Sequence, residues 1–541
     1  MADSPQKQAP EVQKDFLRRW SIFFVYVLLL PLVLQLLFGA FTFKAAQWLN
    51  WGMALLLRIF IGALVMLPVC ALPRKGALIW LGAGTLIAGF FNLLDLFLLI
   101  NFGTAFDPMV WQLMRIAPMH EVQGFFKLFL LRFSTLGLLL IYPVLGLIIF
   151  SVKKRKGLFL GLLLFSGAIL LFFNSVAPEI ILPRNPVGRL KDLVQNWQSL
   201  QLHKNLEEAA KNISCVNSDE EALHVLVIGE SHSRRRSSLY GFPLNTTPEL
   251  KKLYEEKKIF RFDDAVTPHV MTNLALPGLL TFSGSSGDDF SRSPALADLF
   301  RKSGFKVWYI YNQLPDSEKE LPFLAAAKRA DHFISFSAQQ KKFDSEIAAL
   351  FKDILASPEK KKFIIIHLLG NHWEYKTTFP REKTFFPPRS GASLKEKIIT
   401  DYDNSLRHLD RNLAEFIRLL AAEKRNSFLL YLPDHGESLY EDDNFVGHTD
   451  LFPTAAAAEI PLAIWLSDSY RDPAVRDALD RAQKLPFYSA DLPHLLAELA
   501  GIKTNCFLPE RSILNPAYKK RPRRVSTRNL LYSDMKLTSK P

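Results

Sequence analysis

The chain changes character near residue 177. Before it, apolar residues come in long runs broken by few charges; after it, they come in short blocks spaced by charged and polar stretches. Five runs, at 20–40, 51–72, 77–101, 127–150 and 157–177, match the ~20 apolar residues that a helix needs to cross a bilayer. An export signal would supply one shorter apolar core, so the pattern predicts a transmembrane domain of five helices over residues 1–177. Basic residues gather on one side of it. Lys14, Arg18 and Arg19 precede the first run, Arg74 and Lys75 join the second to the third, and Lys153, Lys154, Arg155 and Lys156 join the fourth to the fifth. Positive charge marks the cytoplasmic side. With an odd number of crossings, everything after about Ala177 lies on the other side, which in a bacterium is the periplasm. The expected location is a bacterial inner membrane, multi-pass, with the remaining domain in the periplasm.

Beyond the runs, residues 178–217 read as amphipathic linker helices, 218–518 as a water-facing catalytic domain and 519–541 as a basic C-terminal tail. Within the domain, apolar blocks at 224–229, 306–311, 363–369, 428–432 and 461–466 read as strands. Helical patterns lie between them, at 293–303, 342–355 and 401–422. The blocks are apolar at every position rather than at alternate ones, as in strands buried on both faces. This predicts an α/β fold with a mostly parallel sheet between helices.

Composition narrows the chemistry. Of three cysteines, Cys70 lies in an apolar run, while Cys215 and Cys506 lie at the two ends of the domain. The last two either pair in an oxidising compartment or stay as half-buried thiols. Three cysteines so scattered do not make a thiolate metal site, so a metal here takes oxygen and nitrogen ligands. The net charge of +13 is partly explained by the loops between the apolar runs. The rest concentrates in Arg234–Arg236 and between Lys519 and Arg524. That excess points to an acidic partner, anionic lipid or lipopolysaccharide; no nucleic-acid motif is present.

The strand ends carry the chemistry. HVLVIGES delivers Glu230; FIIIHLLGNHWEY carries His367 and delivers His372; FLLYLPDHGES delivers Asp434 and His435, with His448 close behind. In a parallel sheet these ends share one edge, where open α/β sheets place their sites. Carboxylate and imidazole together suit Zn²⁺. A nucleophile is available in AVTPHVMTNLALPGLLTFS, where Thr267 and Thr272 are candidates and Ser283 stands behind them. Metal coordination activates a hydroxyl that is a poor nucleophile in water.

Taken together, VIGES, SLYGFPLNTTPEL, FIIIHLLGNHWEY and YLPDHGES resemble the phosphoethanolamine transferases of Gram-negative bacteria, nearest to the branch that modifies the lipopolysaccharide core. The resemblance implies a five-span membrane enzyme with a periplasmic domain of the alkaline phosphatase and sulfatase fold. It implies transfer of phosphoethanolamine from phosphatidylethanolamine to lipopolysaccharide, at a core sugar or at lipid A, or to a related glycan. It makes Glu230, Thr272, Asp434 and His435 ligands of one tightly bound zinc, with Thr272 also accepting the group covalently. His372 and His448 would bind the donor phosphate or a second zinc, and Asn312 the headgroup. Two features depart from the family pattern: His232 with the Arg234–Arg236 triplet, and Leu244 where arginine is common. Rival readings are a glycerophosphate transferase of the same superfamily, a membrane-tethered hydrolase that passes the group to water, and a non-catalytic glycan-binding scaffold.

Overall fold

Eight strands build the central sheet: β1 (Ala222–Gly229), β2 (Ile259–Val266), β3 (Lys306–Tyr311), β4 (His332–Ser335), β5 (Lys361–His367), β6 (Ser427–Pro433), β7 (Glu459–Leu466) and β8 (Pro486–Tyr488). Across the sheet their order is β8-β2-β7-β6-β1-β5-β3-β4. β7 runs antiparallel to both neighbours, and every other pairing is parallel. The sheet is therefore mixed, with one reversed strand in an otherwise parallel array. The computed structural model describes residues 201–284, 290–313, 323–336, 343–441, 445–450 and 452–538, all within the compact unit Leu190–Pro541. The five apolar runs, Cys70 and the basic clusters between the runs lie outside the described residues. Among the described residues no helix is long and apolar enough to cross a membrane.

The unbroken apolar blocks are explained by what covers each face. Successive side chains of a strand point to opposite sides. Leu223, Val225 and Val227 of β1 pack with Phe351, Leu409 and Phe416, which come from helices Ile347–Ala356 and Leu394–Ala422. Leu226 and Ile228 point the other way, to Leu279, Leu299 and Leu495 of helices Thr272–Leu280, Leu296–Lys302 and Leu492–Leu499. With both faces covered, no position of β1 is left for a polar side chain to reach water except its end. That end is Gly229, followed by Glu230.

Three strands of the sheet were less legible. β2 has the sequence IFRFDDAV, and its Arg261, Asp263 and Asp264 break the apolar run. Those charges are tolerated because they are paired: Arg261 Nη2 lies 2.7 Å from Asp263, and Arg523 Nη1 lies 2.8 Å from Asp264. β4 and β8 are short strands at the two edges, with four and three residues. The helix read at 401–422 begins earlier, at Leu394, behind a capping box in which Ser393 and Glu396 satisfy each other's backbone N–H.

Both ends of the described chain are built into the domain. Leu206, Ala210 and Ile213, from the expected linker, join the same apolar cluster as Leu226 and Ile228. Cys215–Val216 pairs with Lys503–Thr504 in a two-stranded ladder, and both Cys215 and Cys506 carry free thiols. The expected basic tail also folds back. Arg521 reaches Asp491, and Val525, Tyr532 and Met535 pack on Val266, Val270 and Ala455.

Candidate active site

The edge of the sheet is stitched at one point. Ile228 lies opposite His367 of β5, and Gly229 opposite Pro433 of β6. Past the strands the ladder continues as isolated bonds: Leu368 N donates to Ile228 O at 2.9 Å, Asn371 N to Glu230 O at 3.0 Å, and Asp434 N to Gly229 O at 3.1 Å. Glu230 therefore stands between the loops that carry His372 and Asp434. The chain must then leave sharply. Ser231 adopts φ +52°, a left-handed conformation that costs a non-glycine residue about 1–2 kcal/mol. Tyr402 secures this turn, donating to Ser231 O at 2.6 Å and accepting from Ser233 N at 2.7 Å. Gly370 has no room for a side chain, since a Cβ there would lie 2.8 Å from Glu230 N.

Around Glu230 a set of oxygen and nitrogen donors converges. His435 Nε2 lies 3.4 Å from Glu230 Oε1 and 3.4 Å from Asp434 Oδ2. Thr272 Oγ1 donates to Glu230 Oε2 at 3.1 Å and lies 3.3 Å from His435 Nε2. His435 Nδ1 lies 2.8 Å from Gly436 O. A carbonyl can only accept, so Nδ1 carries the proton and the lone pair of Nε2 faces the cluster, the tautomer a metal ligand requires. His448 completes the group: with Glu230 and His435 it offers donor atoms all within 4.8 Å of one another. Its own Nδ1 is held by Glu437 Oε2 at 2.9 Å.

The electrostatics of this cluster suit a cation. Burial, and then the charge of Asp434, push Glu230 up to about 7. Burial also pushes Asp434 upward, but the facing imidazoles of His435 and His367 outweigh it and hold Asp434 below its ordinary range. Two buried carboxylates thus compete, and one is driven toward protonation unless a positive charge lies between them. Asp434 Oδ2 is buried and accepts no hydrogen bond, the condition of a ligand atom whose partner is not protein. Burial lowers His448, yet the Glu437 carboxylate wins and raises it above the ordinary value. His367, buried beneath the cluster, is lowered to about 4 and stays neutral. The donor set fits a zinc ion, with carboxylate oxygen from Glu230 and imidazole nitrogen from His435 and His448 all within reach of one another.

Of the three candidate hydroxyls, that of Thr272 meets the cluster. Thr267 is fully buried, and its Oγ1 donates to the Asp434 and His269 carbonyls at 2.8 and 3.0 Å. Ser283 Oγ pairs with Thr281 Oγ1. His372 lies close enough to lower Glu230 electrostatically, and its Nδ1 is fixed at 2.6 Å from Trp373 O. Asn312 is placed differently from a headgroup contact: its Nδ2 donates to the buried Asp344 at 2.8 Å. Asp344 in turn accepts from Leu369 N and Gly370 N, so Asn312 supports the loop before His372. Two participants escaped sequence reasoning. Gln313, next along β3's exit, places Nε2 3.4 Å from Glu230 Oε2, and Glu437 orients His448. Strand-end position would have flagged Gln313. Nothing short of the fold pairs Glu437 with His448 across the 442–444 segment.

A family model described as Sulfatase matches residues 223–502. The chain belongs to the Sulfatase family. Its cluster sits at the end of the sheet contained in that match. Among curated relatives, phosphoethanolamine transferase CptA of Salmonella typhimurium is 33% identical over 313 residues, covering 55% of this chain and 54% of the relative. The chain thus spans about half the length of the curated relatives it matches. The solved C-terminal periplasmic domain of EcEptC from Escherichia coli, in complex with zinc, is 28% identical with a TM-score of 0.53, covering 60% of this chain and 95% of that domain. The integral membrane lipooligosaccharide phosphoethanolamine transferase A of Neisseria meningitidis has a TM-score of 0.60 at 18% identity, covering 93% of this chain and 98% of that one, a likeness of fold. The sulfatase-type α/β fold is established on these grounds.

Proposed function

We propose that this Sulfatase-family protein transfers phosphoethanolamine from phosphatidylethanolamine to lipopolysaccharide, or to a related periplasmic glycan, with zinc as cofactor. One observation carries the reading: the Thr272 hydroxyl meets Glu230 and His435, and His435 in turn faces the buried Asp434 carboxylate. The curated relatives bearing the transferase name, and the zinc complex of the EcEptC domain, support it. The five apolar runs, read as membrane spans, suit a donor that is a bilayer lipid.

Glu230, Asp434 and His435 would hold the zinc ion, which would supply positive charge beside the Thr272 oxygen and the phosphoryl oxygens. Thr272 is presented as the first residue of its helix, with Met271 in the cap position. Its hydroxyl is therefore spent on the cluster and not on the helix end. Oγ1, having lost its proton to solvent, attacks phosphorus, the bond to the diacylglycerol oxygen breaks, and that oxygen takes a proton from His448, which Glu437 orients. The acceptor oxygen, either a hydroxyl that returns its proton to His448 or a phosphate oxygen with solvent reprotonating His448, then attacks phosphorus, and the bond to Thr272 Oγ1 breaks. His372, on the loop that Asp344 fixes, would bind a non-bridging oxygen of the donor phosphate.

Mass spectrometry of lipopolysaccharide and periplasmic glucans tests the reading. Cells expressing the wild-type chain gain phosphoethanolamine on one of these acceptors, and cells expressing Thr272→Ala at equal level do not. Equal decoration in both overturns the proposal, as does its absence from every acceptor in wild type.

A further inference from the structure

We infer that Asp450 is a positioning residue for the Thr272 nucleophile, an inference that rests on the transfer reaction proposed above. Asp450 is fully buried and lies two residues beyond His448. Its carboxylate gathers donors from two distant segments. Oδ1 accepts from Val270 N at 2.8 Å. Oδ2 accepts from Thr527 N at 2.9 Å and lies 2.7 Å from His269 Nδ1, which donates because a carboxylate only accepts. His269 and Val270 belong to the loop that enters helix Thr272–Leu280. Thr527 belongs to the turn between the paired strands Arg524–Val525 and Leu530–Leu531 near the end of the chain.

The rest of that loop is fixed as well. Thr267 N donates to Ala458 O at 3.0 Å, Thr267 Oγ1 donates to Asp434 O at 2.8 Å, and Ser526 N donates to Pro268 O at 2.8 Å. Asp450 adds the last hold before Met271, whose carbonyl accepts from Leu274 N and Ala275 N and so starts the helix. From Val270 onward, two residues of backbone decide where Thr272 Oγ1 lies relative to Glu230 and His435. The same carboxylate ties this loop to the strand-like segment that carries His448. Asp450 thus lies two residues from His448 and holds Val270, which lies two residues from Thr272.

Asp410 provides an internal comparison. It is equally buried and also accepts two backbone N–H groups, from Glu249 at 2.8 Å and Leu250 at 2.9 Å, but it caps helix Pro248–Glu255 instead of the nucleophile loop. Displacing a reacting atom by a fraction of an ångström costs rate even when nothing that binds the substrate is altered, since near-attack geometry is lost. Loss of a buried cap at Asp410 costs stability alone.

The test uses the full chain in detergent with zinc, phosphatidylethanolamine and lipopolysaccharide as acceptor, well below the unfolding temperature, and reads diacylglycerol release, bound zinc and hydrogen exchange. Asp450→Asn lowers kcat by about 10- to 100-fold, with KM for phosphatidylethanolamine held within about twofold and bound zinc unchanged. Amide exchange speeds up in the peptide covering 266–275. Asp410→Asn leaves kcat and that peptide as in wild type. Should Asp450→Asn not fold, His269→Ala removes one partner from the loop's surface and lowers kcat with the same KM and zinc signature. An unchanged kcat in a folded Asp450→Asn, or an equal loss in Asp410→Asn, overturns the positioning role while wild-type activity leaves the transfer reading standing. A wild type that releases no diacylglycerol overturns both.

Discussion

At the scale of single residues, the site is a set of close approaches that leave no slack. Gly370 is the clearest case, with φ +52° and a Cβ position 2.8 Å from Glu230 N and 3.0 Å from Glu230 O. Gly370→Ala therefore meets both left-handed strain and a backbone clash, for a loss of about 2–4 kcal/mol in unfolding free energy. It also lowers bound zinc, because Glu230 is what must move; denaturant unfolding with metal analysis checks both. A loss below about 0.5 kcal/mol, the range of an ordinary surface substitution, contradicts the packing described. The residues legible in the sequence were those following long apolar strands: Glu230, Asp434 and His435 stand at strand ends, and converge because β1, β5 and β6 are adjacent and parallel. Thr272 became legible only through resemblance, since Thr267 was an equal candidate until its hydroxyl was found on the Asp434 carbonyl. Asn312 read as a headgroup contact through the resemblance, and its Nδ2 donates to Asp344. Sequence pattern locates a residue at the right edge; it does not say which way a short side chain turns.

At the scale of elements, the Arg234–Arg236 turn is a staple. Arg234 and Arg235 meet Glu459 at the start of β7, at 3.1 and 2.9 Å, and Arg236 meets Asp403 on the long helix at 2.7 Å. The turn that follows Glu230 is thereby fastened both to the reversed strand and to the helix layer. These arginines were read as attractors of an acidic partner, and the acids they attract are internal. Tyr532 donates to Glu459 as well, at 2.7 Å, which brings the end of the chain into the same knot. Burial pushes Glu459 upward, but the bond from Arg235 and the charge of Arg234 win and take it from 4.5 down to about 2. A carboxylate depressed in the folded state adds stability above its unfolded pKa and loses it as pH falls through its folded one. Glu459→Gln is accordingly less stable than wild type by about 2–3 kcal/mol at neutral pH. The gap closes as pH falls from 4.5 to about 2. Unfolding measured against pH checks it, and a gap that persists or widens in acid contradicts the assignment. Such long-range pairs have no sequence signature, because 224 positions separate Arg235 from Glu459.

At the scale of the whole molecule, the layered α/β plan was visible in the unbroken apolar blocks, since strands covered on both faces need no polar alternation. The mixed character of the sheet was not. The PLAIWL block of β7 is as apolar as its neighbours, and apolarity says nothing of strand direction. The charge balance also reads differently once the chain is folded. With Arg234–Arg236, Arg521 and Arg523 paired internally, the exposed basic residues between 519 and 531 are Lys519, Lys520, Arg524 and Arg528. Internal pairing leaves the net charge of +13 unchanged, and an acidic glycolipid acceptor would meet it through fewer free side chains than the sequence suggested. The claim on which all three scales converge is that Thr272 takes up the phosphoethanolamine group at a metal-dependent site. It is measured most directly by peptide mass spectrometry of the full chain after incubation with phosphatidylethanolamine and zinc, with no acceptor added. A phosphoethanolamine adduct on the peptide containing Thr272, missing from Thr272→Ala and from a chelator-treated sample, is the predicted result. An adduct that survives in Thr272→Ala, or an unmodified chain in every sample, would contradict the account.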